Sequence, residues 1–240
     1  MERSCNMAGP FVLGSDSEGV VTDISKQIFL LYGRPKIGKS DLASKFPGVI
    51  FAATEPGTKY LGVKKNNILT WVDFLYFSKA IIDGGHTYKN MCIDTVDVLV
   101  KLASDYICEK NGIGHPGDMP MGKGWALVTD EIRKVLNKVS MCGVGIIMIT
   151  HSKDYEIVTR KEKFTKMDLA LSGQNKMVVE NLSDHILLID SAMDGDNEVR
   201  FIRTQGSKFW NAGSRCPELQ EAGTIALSYE ALSGYFTKED

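Results

Sequence analysis

The chain has 240 residues, 43% of them hydrophobic and 24% charged, with a formal net charge of -2 at pH 7. That is enough chain and apolar content for one domain with a full core, and the charge excludes wholesale attraction to nucleic acid or anionic lipid, leaving only a local basic patch for such a role. The five cysteines, at 5, 92, 108, 142 and 216, include no C-x-x-C pair, which excludes a disulfide framework or a cysteine zinc site and points to a reducing, cytoplasmic setting.

Residues 1 to 24 are Gly- and Ser-bearing with little periodicity and read as an irregular lead-in without the apolar core of a signal peptide. No run approaches the ~18 apolar residues that span a bilayer, so no membrane partner is expected. From residue 25 to 240 the pattern predicts a single domain, with a strand/helix extension from about 217. Short apolar runs at 27–32, 48–54, 89–94, 144–150, 185–190 and 199–204 alternate with helix-like stretches at 40–46, 71–82, 95–109 and 125–139. Continuous apolar strands alternating with helices indicate α/β architecture: three layers, a mostly parallel central sheet with helices on both faces. Two polar or Gly/Pro-rich stretches, 111–124 and 152–176, are expected to be long functional loops.

The first apolar run leads into Gly33-Arg34-Pro35-Lys36-Ile37-Gly38-Lys39-Ser40-Asp41, which matches G-x-x-x-x-G-K-[ST] at every fixed position. The glycines let backbone N–H groups converge on phosphate oxygens, Lys39 adds a mobile positive charge, and the Ser40 hydroxyl is suited to Mg²⁺. The helix that follows directs its positive end to the same place. A P-loop also needs a carboxylate at the end of an apolar strand, and Met91-Cys92-Ile93-Asp94 supplies Asp94 for the metal's water shell. The strand after the P-loop helix ends at Glu55, the candidate to orient or deprotonate water, with Asp97 in reserve. His151, at the tip of VGIIMIT, is placed to overlook the terminal phosphate.

In that order, GRPKIGKS, a strand ending in Glu55, a strand ending in IDT, and IIMITHS, the chain resembles the RecA-like P-loop ATPases. More narrowly, GRPKIGKSDLASKFPGVIFAATEPG, the Gly-Lys-Gly-Trp at 122–125 and VRFIRTQGSKFWNAGSR look like phage-encoded ATP-binding proteins of RecA type that act in single-strand annealing and recombination. The resemblance implies ATP and Mg²⁺ as ligands, Lys39 and Ser40 on phosphate and metal, Asp94 in the Walker B role, Glu55 in catalysis and His151 where the family has a polar sensor. It puts DNA-contacting loops at 111–124 and 152–176. The second carries Lys153, Arg160, Lys161, Lys163, Lys166 and Lys176 with Tyr155 and Phe164 interleaved, which suits phosphate contact plus base stacking. It further implies that Lys208, Arg215 and Arg203 reach the nucleotide of a neighbouring subunit, hence a ring or filament of the chain with itself. Single-stranded DNA is then the expected partner, with a single-strand-binding protein as a further one, in the bacterial host cytoplasm if the chain is phage-encoded.

Three rivals share the P-loop. A nucleotide kinase would bring an Arg-rich lid over the donor, and here the basic residues are spread through two stretches. A switch or partition ATPase is disfavoured because Asn137-Lys138-Val139-Ser140 lacks the aspartate of N-K-x-D and Pro35 follows Arg34 where partition P-loops have glycine. A helicase-type motor or accessory ATPase shares both core and finger region, and only its action on forked DNA separates it.

Overall fold

The computed structural model describes residues 19–171 and 173–236, so most of the expected lead-in lies outside the described residues. The elements run β1 (Ile28–Gly33), α1 (Lys39–Ser44), β2 (Val49–Ala53), β3 (Lys64–Asn67), α2 (Trp71–Asp83), β4 (Asn90–Asp94), α3 (Val96–Asn111), α4 (Lys123–Ser140), β5 (Gly145–Val158), β6 (Lys163–Leu169), α5 (Gly173–Leu182), β7 (His185–Asp194), β8 (Asn197–Arg203), β9 (Gly213–Ser214), α6 (Pro217–Ala222), β10 (Thr224–Ala226) and α7 (Tyr229–Ser233).

One sheet in the order β10-β8-β7-β1-β5-β4-β2-β3 organises them, with β6 on β5 and β9 on β7. Its centre is parallel, β1 lying between β5 and β7 and β4 between β5 and β2. The β7–β8–β10 side is antiparallel. The alternation of strand side chains divides the core in two. Leu30, Tyr32, Ile93 and Met148 face one way, against α2, α3, α4 and α5. Phe29, Leu31, Cys92 and Ile147 face the other, with Leu42 of α1, Leu219 of α6 and Leu232 of α7. A strand covered on both faces has no polar side, which is why IFLLYG is apolar throughout. This is the expected three-layer α/β fold.

The helices start where local chemistry dictates. Thr70 caps α2 by accepting from the Asp73 amide while the Asp73 carboxylate accepts from Thr70, a reciprocal box that satisfies two otherwise orphan donors. In α4, Val128, Ile132, Val135, Leu136 and Val139 repeat at three- and four-residue spacing and are buried together.

Two expectations need correction, and one strand had no sequence signal. The stretch 152–176 is not a long loop: β5 continues beyond the sheet to Val158, turns, and pairs antiparallel with β6 from Ser152↔Leu169 to Val158↔Lys163, and Lys176 already belongs to α5. The ribbon is polar because much of it stands in water, and backbone pairing rather than core burial specifies it. Its outer edge is closed by the segment at 207–211, where Met167 N–H donates to Phe209 O and Asn211 N–H to Met167 O. The stretch 111–124 folds into two single-turn 3-10 helices, Pro116–Asp118 and Pro120–Gly122, and then enters α4. Here Gly124 is required, since a Cβ would sit 2.1 Å from the Pro116 carbonyl oxygen. Finally, β3 is an unforeseen edge strand: Lys64 to Asn67 are all exposed, so they carry no apolar signal.

Candidate active site

The sheet's parallel centre brings the C-terminal ends of β1, β2, β4 and β5 to one edge, where ligands of such sheets bind. Gly33 ends β1 pressed against its neighbour: a Cβ there would lie 2.4 Å from the Ile189 carbonyl oxygen on β7. Gly38 adopts φ 118°, a left-handed conformation costly to any residue with a Cβ. The loop between them curls over a cleft of about 340 Å³ lined by Lys39, Ser40, Glu55, Asp94, Thr95 and His151 among others.

Lys39 is buried, and its Nζ donates to the carbonyl oxygens of Gly33 and Arg34, both at 2.8 Å. The ammonium thus bridges the loop it belongs to. Burial lowers its pKa, and the nearby carboxylates Asp94, Asp97 and Glu55 work against that shift. Ser40 Oγ donates to Asp94 Oδ2 at 2.7 Å. Two hard oxygens at this separation fit Mg²⁺, which is usually held by one or two carboxylates together with substrate phosphates rather than by a complete protein cage. Burial raises the Asp94 pKa, against the lowering effect of the Ser40 hydrogen bond, Lys39 and His151. The Thr54 hydroxyl donates to Thr95 O at 3.0 Å and accepts from Thr95 N–H at 2.7 Å, tying the ends of β2 and β4 together beneath the carboxylates.

Glu55, directly after β2, is raised above the usual carboxylate range, first by partial burial and then by Asp97 and Asp94, while His151 and Lys39 pull it down. His151 Nδ1 lies 2.8 Å from Asp97 Oδ2 on the first turn of α3. The structure therefore gathers Gly33–Ser40, Glu55, Asp94 and His151 around one cleft.

It does not bring Arg203, Lys208 or Arg215 there within this chain. Arg203 pairs with Asp190 at 3.1 Å and lies 3.9 Å from the Trp210 ring. Lys208 pairs with Glu162 beside the turn of the β5–β6 ribbon and lies over the rings of Phe164 and Phe209. Arg215 pairs with Asp184, whose other oxygen accepts from Ile28 N–H at the start of β1, so it sits at the far edge of the sheet from the P-loop. Of the basic residues of the ribbon and α5, Lys163 pairs with Glu156, and Lys166 and Lys176 both pair with the buried Asp168. Lys153 lies over Tyr155. Arg160 and Lys161, at the turn, have no acidic partner among the described residues.

Sequence reading missed several participants. Asp97 as the partner of His151 had a faint signal, since Asp94 and Asp97 stand three positions apart across a helix start. Tyr60 and Leu61 line the cleft from the turn after Glu55. Arg200 on β8 donates to the P-loop carbonyl of Ile37 at 3.3 Å across 163 residues, a contact with no sequence signal.

Among the described residues no helix is long and apolar enough to cross a membrane. A family model described as an AAA domain (AAA_24) matches residues 25–216. The SPbeta prophage-derived uncharacterized protein YorG of Bacillus subtilis (strain 168) is 24% identical over 240 residues, covering 88% of this chain and 73% of its own. Among solved structures, the KaiC-like protein PH0186 of Pyrococcus horikoshii OT3 aligns with a TM-score of 0.45 at 12% identity, over 75% of this chain and 78% of that one.

Proposed function

The chain belongs to the AAA_24 family of AAA domains, and on that premise we propose that it is an ATPase whose nucleotide controls binding of single-stranded DNA, in the service of strand annealing or recombination. ATP sits with its phosphates in the loop Gly33 to Ser40, Lys39 exchanging its carbonyl partners for phosphate oxygens. Ser40 and Asp94 would hold Mg²⁺, which would supply positive charge against the phosphates. Glu55 takes the proton of the attacking water, and His151 contacts the terminal phosphate. ATP lies between copies of the chain in a ring or filament, with Lys208, Arg215 or Arg203 supplied by a neighbour. The prophage origin of the relative YorG accords with a phage role.

The observation that carries the DNA reading is the continuity of β5: the strand that delivers His151 to the cleft runs on, without a break, into the ribbon that exposes Arg160 and Lys161. A contact made at His151 is thereby transmitted along paired backbone to a basic, aromatic-bearing surface. The test is fluorescence anisotropy of a labelled single strand with and without ATP and Mg²⁺, on wild type and on Arg160→Glu/Lys161→Glu. ATP-dependent binding that the double variant weakens, with its ATPase rate retained, is expected. Equal and negligible binding in both conditions with hydrolysis intact would overturn the DNA reading, and unwinding of a forked duplex without annealing would move the protein to the helicase-type motors.

A further inference from the structure

The strand order sets β8 and β10 at one end of the sheet and β3 at the other. At the β3 end the sheet stops without cover. Ile68 N–H donates to Ala53 O, so by the alternation of a parallel ladder Lys65 and Asn67 turn their backbone groups away from β2, and no described strand meets them. Around this edge Tyr60, Leu69 and Tyr76 are 99%, 75% and 71% exposed. The stretch 56–69 carries three lysines and no acid. Lys59 is exposed, Lys64 lies over the Tyr88 ring, Lys65 Nζ donates to Thr58 Oγ1 at 2.9 Å, and none of the three pairs with a carboxylate among the described residues. The acids nearby are occupied: Asp73 accepts from Leu69 and Thr70 N–H at the cap of α2, and Asp83 is paired with Lys79.

At the opposite end β7 and β8 run on as a hairpin that turns at Gly195 and Asp196, and β10 covers β8 only at 201–203. Residues 192–200 are all exposed, Met193 and Val199 among them. The stretch 191–199 carries Asp194, Asp196 and Glu198 and no base. Glu198 accepts from Ser191 Oγ at 2.7 Å, and none of the three acids is in an ion pair among the described residues. The charge left over is negative at the hairpin and positive at β3. With β1, β5, β4 and β2 between them, one copy cannot join its own two ends. We propose that the β3 end is a docking face for a second copy of this chain, whose β7–β8 hairpin it receives, acid against base, around a centre formed by Leu69, Tyr76 and the hairpin's Met193. Lysines on an open edge discourage indiscriminate strand pairing, and the same charge selects an acidic partner. A contact between unlike ends leaves one free hairpin and one free β3, so it propagates until it closes a ring or grows a filament. The inference rests on the ring-or-filament reading above and supplies its interface. Lys59 adjoins Tyr60, which lines the nucleotide cleft, so the contact forms at the rim of that cleft.

Sedimentation velocity of the full chain reads the assembly, at about 0.05 M and about 0.5 M salt and with or without Mg²⁺ and a non-hydrolysable β,γ-imido analogue of ATP. Two charge reversals test the contact: Asp194→Lys/Asp196→Lys/Glu198→Lys on the hairpin, and Lys59→Glu/Lys64→Glu/Lys65→Glu at β3. Wild type should sediment as assemblies that the higher salt dissociates, because screening acts on exposed charges. Each reversed protein alone sets like charge against like and should associate about a hundredfold more weakly, from three attractive pairs turned repulsive. An equimolar mixture of the two should recover assembly, since each hairpin then meets a β3 end of opposite charge on the other protein. A misfolded variant could not give that recovery. A mixture that stays dissociated would overturn the proposal. So would reversed proteins that assemble as wild type does, which would leave the ring-or-filament reading standing and give the β3 face to another acidic partner. Wild type that stays monomeric in every condition would remove the ring-or-filament reading itself, and this interface with it.

Discussion

His185 offers a test of how the P-loop strand is anchored. Its ring is buried at the start of β7, stacked on Phe29 with centroids 4.7 Å apart, with Nδ1 at 2.8 Å from Ser214 Oγ and Nε2 at 3.2 Å from Gln27 Oε1. Burial holds its pKa down at about 4, against the opposing pull of Asp184 and with a smaller contribution from Arg215. In the unfolded chain the same imidazole titrates near 6.5. Between these values the unfolded state binds a proton that the folded state refuses. The unfolding free energy is therefore undiminished above pH ~6.5 and is lost as pH falls towards ~4. At about 1.4 kcal/mol per pH unit the full loss is about 3 kcal/mol, of which roughly 2 kcal/mol is already gone at pH 5. Urea unfolding followed by circular dichroism at pH 7.5 and pH 5, for wild type and His185→Gln, isolates this contribution, because the carboxylates common to both cancel. Wild type should lose about 2 kcal/mol more than the variant over that interval. Identical pH dependence in the two proteins would refute the reasoning and mean that the ring is protonated, or wet, in the native state.

Two substitutions probe the cleft. Lys39→Ala removes a buried ammonium that holds two carbonyl oxygens and offsets Glu55 and Asp94; a fluorescent-nucleotide titration should show affinity reduced by about a hundredfold or more, and near-normal binding would remove Lys39 from the phosphate site. Glu55→Gln should bind ATP within a few-fold of wild type yet turn it over about 10²- to 10⁴-fold more slowly, as expected on losing a general base. Because burial raises the Glu55 pKa and the base acts ionised, wild-type activity should fall away on the acid side at a pH above the ordinary carboxylate range. Unimpaired hydrolysis by Glu55→Gln would take the base away from this residue.

Where a residue's position follows from its place near the end of an apolar strand, the sequence already pointed to the cleft that the fold assembles. Asp94 ends β4, Glu55 follows β2, Lys39 and Ser40 open the helix reached from β1 through the P-loop, and His151 stands where the apolar part of β5 gives way to the ribbon; parallel strands in one sheet bring these points to one edge. The ribbon was harder. Its alternation is present in Lys153-Asp154-Tyr155-Glu156-Ile157, but the mixed charge reads as a solvated loop until the partner strand Lys163–Leu169 is seen opposite. Charge counting along the chain does not reveal pairing. Lys166, Lys176, Lys208, Arg203 and Arg215 look available along the chain, and each meets a carboxylate in space.

The linear sequence by itself determined that this protein is an α/β domain with a P-loop, because apolar periodicity and a Gly-Lys-Ser signature are local properties and the steric and hydrogen-bonding demands behind them act over a few residues. Only the tertiary structure decided which charges are already paired, that Asp97 grips His151, and that the strand beneath His151 continues into the basic ribbon. Several of those facts depend on side chains far apart along the chain coming within 3 Å, such as Lys208 with Glu162, 46 positions away, and His151 with Asp97, 54 positions away. Electrostatic and hydrogen-bond partnerships are set by distance through space, and a sequence records only distance along the chain.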